Sequence, residues 1–223
     1  MVTNPAARGR ALVLVLALLR AGHLAAAPAH PHPYLMPPAE KERLLERVRS
    51  SDPARKQFEA IKARAKEGTF GDAALVFALE GDQKAAATVR RHLLDLVRYR
   101  GPRLDEDIAA GGHREGNMDF YWDTADIRAY DLVHSALTLE ERETIEGFYR
   151  KLGRYWRDSL SRWTTTPNLV FPIHYHAAVI GFCTGDDELI EWGFAIPARG
   201  GGRPGAVFSR CSMRCCVTER FAL

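Results

Sequence analysis

The densest grouping of residues able to do chemistry is NLVFPIHYHAAVIGFCTGDDELIEW, Asn168 to Trp192, where one Asn and two His stand beside a helix start. An amide donates to a carboxylate or to a developing oxyanion, and a neutral imidazole accepts a proton. Pro172 suits the first turn of a helix, and the apolar and small residues after it run to Thr184 before Gly185 stops them. That start puts His174 in the first turn, where the helix dipole disfavours imidazolium and attracts an anion. At about 100° per residue, His174, Ala177, Ala178 and Gly181 share one face, whose small residues admit a second helix or a ligand. His176 points about 200° away, so one cleft holds only one of the two His. An H-x-H pair splayed in this way, with no third ligand at suitable spacing, makes a poor zinc site; no metal or other cofactor is expected. The opposing reading makes both His satisfied core residues of an inner helix that is apolar all round.

A second candidate lies upstream, in MDFYWDTADIRAYDLVHSAL. Trp122 and Asp123 have the chemistry of a sugar-binding rim, since aromatic rings stack on sugar faces and carboxylates accept from hydroxyls. Asp126 is three residues on, a neighbour of Asp123 on a helix surface. Against this, acidic residues in a first turn are favoured by the dipole alone. Tyr121, Tyr130, Tyr149 and Tyr155 read as core, and Cys183 as a buried small hydrophobe.

The elements that must position these residues are helical throughout. Residues 11 to 19 (ALVLVLALL) follow Arg8 and Arg10 and precede Ala25-Ala26-Ala27, the pattern of a secretory signal peptide over 1–27. A secreted or periplasmic protein is expected, with no membrane span after cleavage. Removing Arg8, Arg10 and Arg20 takes the formal charge from +3 to about zero, which argues against a nucleic-acid partner. Residues 28–38 are Pro-rich and read as an extended arm. Helices are expected over 39–49, from Asp52-Pro53, which caps and begins the second, to about 67, over 71–80, and from about 83 to a stop at Gly101-Pro102. Thr138 and Glu141 form a capping box ahead of the stripe Ile145, Phe148, Tyr149, Leu152, Tyr155 and Trp156. ALVFALEGDQKAA and AAVIGFCTGDDELI repeat one device, an apolar helix, a Gly-Asp corner and a second helix. The fold class is therefore all-α, built of antiparallel helical hairpins. Residues 198–223 hold three of the four Cys and five Arg without helical or strand period, the mark of a frameshifted or irregular tail.

Three stretches together carry a family resemblance. HPYLMPPAEKERL, WDTADIRAYDLV with the following LTLEER, and Asn168 placed ahead of AAVIGF and GDDELIEW resemble the N-terminal (α/α) toroid of heparinase II/III-like and alginate-lyase-like polysaccharide lyases. The resemblance spans roughly residues 30–200 and implies an incomplete toroid over 39–197. It implies β-elimination on a uronate polysaccharide, alginate or heparan-type, without a cofactor. Asn168 matches the position that clamps the substrate carboxylate, and His174 is its expected companion; Trp122, Asp123 and His176 are expected to bind substrate. The chain has Leu169 where such lyases commonly carry a His after the Asn. A glycoside hydrolase using Asp123 or Asp126 and a non-catalytic carbohydrate-binding protein are the alternatives. Uncovered hairpin faces of a partial ring are expected to promote self-association.

Overall fold

A computed structural model describes residues 32–111, 124–160 and 167–195; the expected signal peptide, Trp122, Asp123 and the 198–223 tail lie outside these. Among the described residues there are eight α-helices, one short 3-10 turn and no strand. They are α1 (Pro38–Ser50), α2 (Asp52–Lys66), α3 (Phe70–Glu80), α4 (Gln83–Ala109), α5 (Ala125–Val133), α6 (Leu139–Leu160), α7 (Pro167–Thr184) and α8 (Asp187–Phe194). None is long and apolar enough to cross a membrane.

The packing order is alternating. Besides neighbours in sequence, α1 packs on α3, α3 on α5, α5 on α7, α4 on α6 and α6 on α8. Apart from α2 and α4, helices two apart in the chain therefore lie side by side, which sorts α1, α3, α5 and α7 into one row and α4, α6 and α8 into another. Composition separates two helices of each row. The helices α3 and α7 are apolar on most sides, with Ala73, Ala74, Ala177 and Ala178 fully buried. By contrast α4 and α6 are amphipathic, and the whole expected α6 stripe from Ile145 to Trp156 is buried.

Local chemistry sets the corners. Gly81 and Gly185 both adopt left-handed backbone, φ 74° and 65°, which a Cβ would strain. Asp82 then caps α4, its Oδ1 accepting from the N–H groups of Lys84 (2.8 Å) and Ala85 (3.3 Å). Asp186 caps α8 by accepting from Leu189 N–H at 3.1 Å. The two echoing sequences thus build the same corner. With two residues between helices, the chain has to reverse, so each pair is an antiparallel hairpin. The expected capping box also forms: Glu141 accepts from Thr138 N–H at 3.0 Å while Thr138 Oγ1 accepts from Glu141 N–H at 3.3 Å. Arg90 of α4 closes on the same Glu141 and ties the two helices.

Three boundaries differ from expectation. The cap of α2 is Ser51 rather than Asp52, without a side-chain bond. Helix α4 does not stop at Gly101-Pro102 but runs on to Ala109, because Leu104 beyond the proline is fully buried and Lys151 of α6 holds Asp105 at 2.6 Å. Burial on that scale offsets a proline cost of about 3 kcal/mol. The arm is not wholly extended either: residues 32–35 form a turn, closed by Leu35 N–H on the His32 carbonyl at 3.1 Å.

Candidate functional site

Helix α7 starts at Pro167, not at Pro172, which lies inside it. Asn168 is therefore in the first turn and His174 two turns further along. Six helical residues separate them by about 9 Å of rise and about 120° of rotation, so they are not adjacent on one face. The dipole argument for a neutral His174 lapses with the new helix start, since the effect fades within the first turn. Pro172 has no N–H for the Asn168 carbonyl four residues back, which leaves that acceptor outside the intrahelical ladder.

His174 is nonetheless held neutral, by burial. It is 5% exposed, and its ring stacks on Trp192 of α8 with centroids 4.1 Å apart and planes 17° apart. Desolvation pushes its pKa below the ordinary imidazole value, against a smaller opposite effect of the Trp192 carbonyl. Nδ1 lies 2.8 Å from that carbonyl oxygen, which only accepts, so Nδ1 carries the proton and donates it. Nε2 is left as the unprotonated nitrogen. The small face under His174 is occupied by a helix rather than a ligand: a Cβ on Gly193 of α8 would meet the His174 carbonyl oxygen at 2.7 Å and the Ala178 Cβ at 2.5 Å. A Cβ on Gly181 would come as close to the Ile190 backbone N, at 2.8 Å.

His176 leaves the opposite side of α7, as expected, and faces Trp156 of α6 with ring centroids 6.0 Å apart and Tyr175 at 5.6 Å. Its exposure is 9%, a core environment. The two His diverge, and among the described residues no group of three or more His, Cys, Asp or Glu is disposed to hold a metal. Trp122 and Asp123 lie outside the described residues. Asp126 is not an exposed first-turn acid: it is 2% exposed and pairs with His92 Nε2 of α4 at 2.6 Å, the imidazole lying flat on Phe70 at 3.9 Å.

Sequence reasoning missed the polar junction where the arm meets α5 and α7. Asp131, fully buried, accepts from Tyr34 N–H (2.7 Å) and Leu35 N–H (3.1 Å) and pairs with His32 Nδ1 (2.6 Å). His32 in turn packs on His134 at 4.1 Å. The Tyr34 phenol lies beside Tyr175, and its pKa is pushed far up, first by burial and then by Tyr175. Tyr130 donates to Glu146, and burial followed by that carboxylate raises its pKa as well. Neither phenol is poised as a base; both are structural ties, in keeping with the core reading of Tyr130. Glu146 also holds Arg150 at 2.7 Å, and Arg150 donates to the Thr184 carbonyl at 2.5 Å, so α5, α6 and the end of α7 are locked together. Cys183 is fully buried beside Asp131, and burial raises its thiol pKa well above the usual value. The one available signal was Asp131 itself, an acid among the apolar neighbours of IRAYDLV. Its partners are nearly a hundred positions away and carry no local signature.

Comparison of the chain with protein-family models, with characterised proteins and with solved structures found no match.

Proposed function

We propose that this chain is the helical part of an exported polysaccharide lyase, one that cleaves a uronate-containing polysaccharide such as alginate or a heparan-type chain by β-elimination. The observation that supports the reading best is the alternating packing of helices two apart. An (α/α) toroid is made of such rows, an inner and an outer one, and the apolar α3 and α7 have the composition of inner helices. The three stretches that carry the family resemblance also meet: the HPYLM arm bonds to Asp131 of the DIRAYDLV helix, and its Tyr34 lies beside Tyr175 of α7.

In this reading Asn168 donates to the C6 carboxylate of the uronate and stabilises the charge that grows there as the C5 proton leaves. The C5–H electrons form the C4=C5 double bond, the C4–O bond breaks, and the departing sugar oxygen takes a proton. Loss of one such donor costs about 10²- to 10³-fold in turnover in other enzymes. His174 is neutral, but it is 5% exposed and set about 9 Å along α7 and about 120° round it from Asn168, so it is assigned to the packing of α7 on α8 and the C5 proton to a base elsewhere in the enzyme. Trp122 and Asp123 are assigned to the sugar-binding rim. A hydrolase based on Asp126 is disfavoured, because that carboxylate is withdrawn from solvent and engaged by His92. The test is product chemistry in an enzyme that carries this helical part. Elimination leaves an unsaturated sugar that absorbs in the ultraviolet, and Asn168→Ala is expected to cut its formation by about 10²-fold with little loss of stability. Products without ultraviolet absorption, or an unchanged rate in the variant, would sink the assignment.

A further inference from the structure

The outer face of α4 carries a feature that the fold does not use. Between Gln83 and Arg103 the helix holds six cations, Lys84, Arg90, Arg91, Arg98, Arg100 and Arg103, against a single acid, Asp95. Lys84, Arg91 and Arg98 recur every seven residues, which sets them about 10 Å apart in a nearly straight row along the helix. The row lies opposite Val89 and Leu93, both fully buried, and all three cations are exposed. No carboxylate among the described residues pairs with any of them, whereas neighbouring Arg90 is held by Glu141. Tyr99 follows Arg98, about 100° round the helix from the end of the row, 63% exposed and with the Arg103 guanidinium 4.5 Å from its ring centroid. One side of the ring is thus steadied by a cation while most of the side chain remains open to solvent.

We propose that this face is a surface binding site for an anionic polysaccharide. The chain lies along α4 with its carboxylates or sulfates over Lys84, Arg91 and Arg98 and one sugar ring stacked on Tyr99. The site rests on the uronate reading above for the identity of its ligand, and it is separate from Asn168. Spaced cations recognise a repeating anion, and an exposed aromatic recognises the apolar face of a sugar, so the combination fits a polyuronate better than a free anion. Because the charges are exposed, binding is salt-dependent, through screening and counterion release.

The experiment uses the full chain, a long polyuronate and a short uronate oligosaccharide at low salt. Lys84→Gln with Arg91→Gln and Arg98→Gln is expected to weaken polymer binding on the order of tenfold, as is Tyr99→Ala, and to leave oligosaccharide binding intact. A control, Arg47→Gln with Lys56→Gln and Lys66→Gln, removes three exposed cations of α1 and α2 and is expected to change neither. Equal losses in control and row variants would overturn the proposal, as would polymer binding that survives in the row variants. So would duplex DNA binding as tightly as the polyuronate and lost in the same variants, since the face would then be a general polyanion surface. If the wild-type chain binds neither uronate ligand, the uronate reading falls and the proposal with it; if only polymer binding ignores the row, this proposal alone falls.

Discussion

The hairpins α3–α4 and α7–α8 turn on the same corner and pack differently. Each has a left-handed Gly followed by an Asp cap. In the first hairpin the corner is exposed, and a Cβ on Gly81, or on Gly71 at the far end of α3, would meet nothing within 4 Å. In the second, Asp186 is 8% exposed and also binds Arg154 of α6 at 2.7 Å, and Gly181 and Gly193 let the backbones approach until no Cβ fits. The corner therefore sets reversal, and the small residues beyond it set distance. His174 is buried against Trp192 because the second hairpin closes so tightly.

Substitutions sharpen that contrast. Gly193→Ala has the largest expected effect, about 3 kcal/mol lost in denaturant unfolding, because the new Cβ faces the Ala178 Cβ and the His174 carbonyl, neither of which yields without separating the helices. Asp186→Ala removes the cap of the buried Leu189 N–H and leaves Arg154 without that partner; about 2 kcal/mol is expected. Asp82→Ala, at the exposed twin, is expected to cost about 1 kcal/mol. Equal losses at the two caps would remove the contrast. Gly71→Ala should instead stabilise by about 0.5 kcal/mol, through the unfolded chain.

The same contrast has a pH signature. His174 takes up a proton less readily when folded than when unfolded, because burial lowers its pKa. The unfolded state then binds more protons, so stability is full above the unfolded value of about 6.5 and is lost as pH falls below it. Unfolding midpoints followed from neutral to mildly acidic pH should show this decline, and His174→Phe should flatten it. A decline of the same steepness in the variant would assign it to other groups.

What the sequence disclosed tracks how local each signal is. The α6 stripe, the Thr138–Glu141 box and both Gly-Asp corners depend on residues within a turn or two, and all are in place. The small face of His174, Ala177, Ala178 and Gly181 was legible as a close-approach surface, and a helix fills it. Pro102 and Pro172 mislead for one reason: each reads as a boundary in the sequence, yet both lie within helices, Pro102 because fully buried Leu104 anchors the next turn. That shift moved His174 out of the first turn and parted it from Asn168. The carboxylates Asp126 and Asp131 were invisible as tie points because His92 and His32 come to them from distant segments.

In the proposed function Asn168 binds a uronate carboxylate. Calorimetric titration of the wild-type chain and of Asn168→Ala with a saturated uronate oligosaccharide, and with a neutral oligosaccharide of equal length, tests it most directly. The uronate ligand is expected to bind better than the neutral one, and that preference to vanish in the variant while its unfolding midpoint stays put. Equal binding of the two ligands by the wild type, or a preference that survives Asn168→Ala, would contradict it.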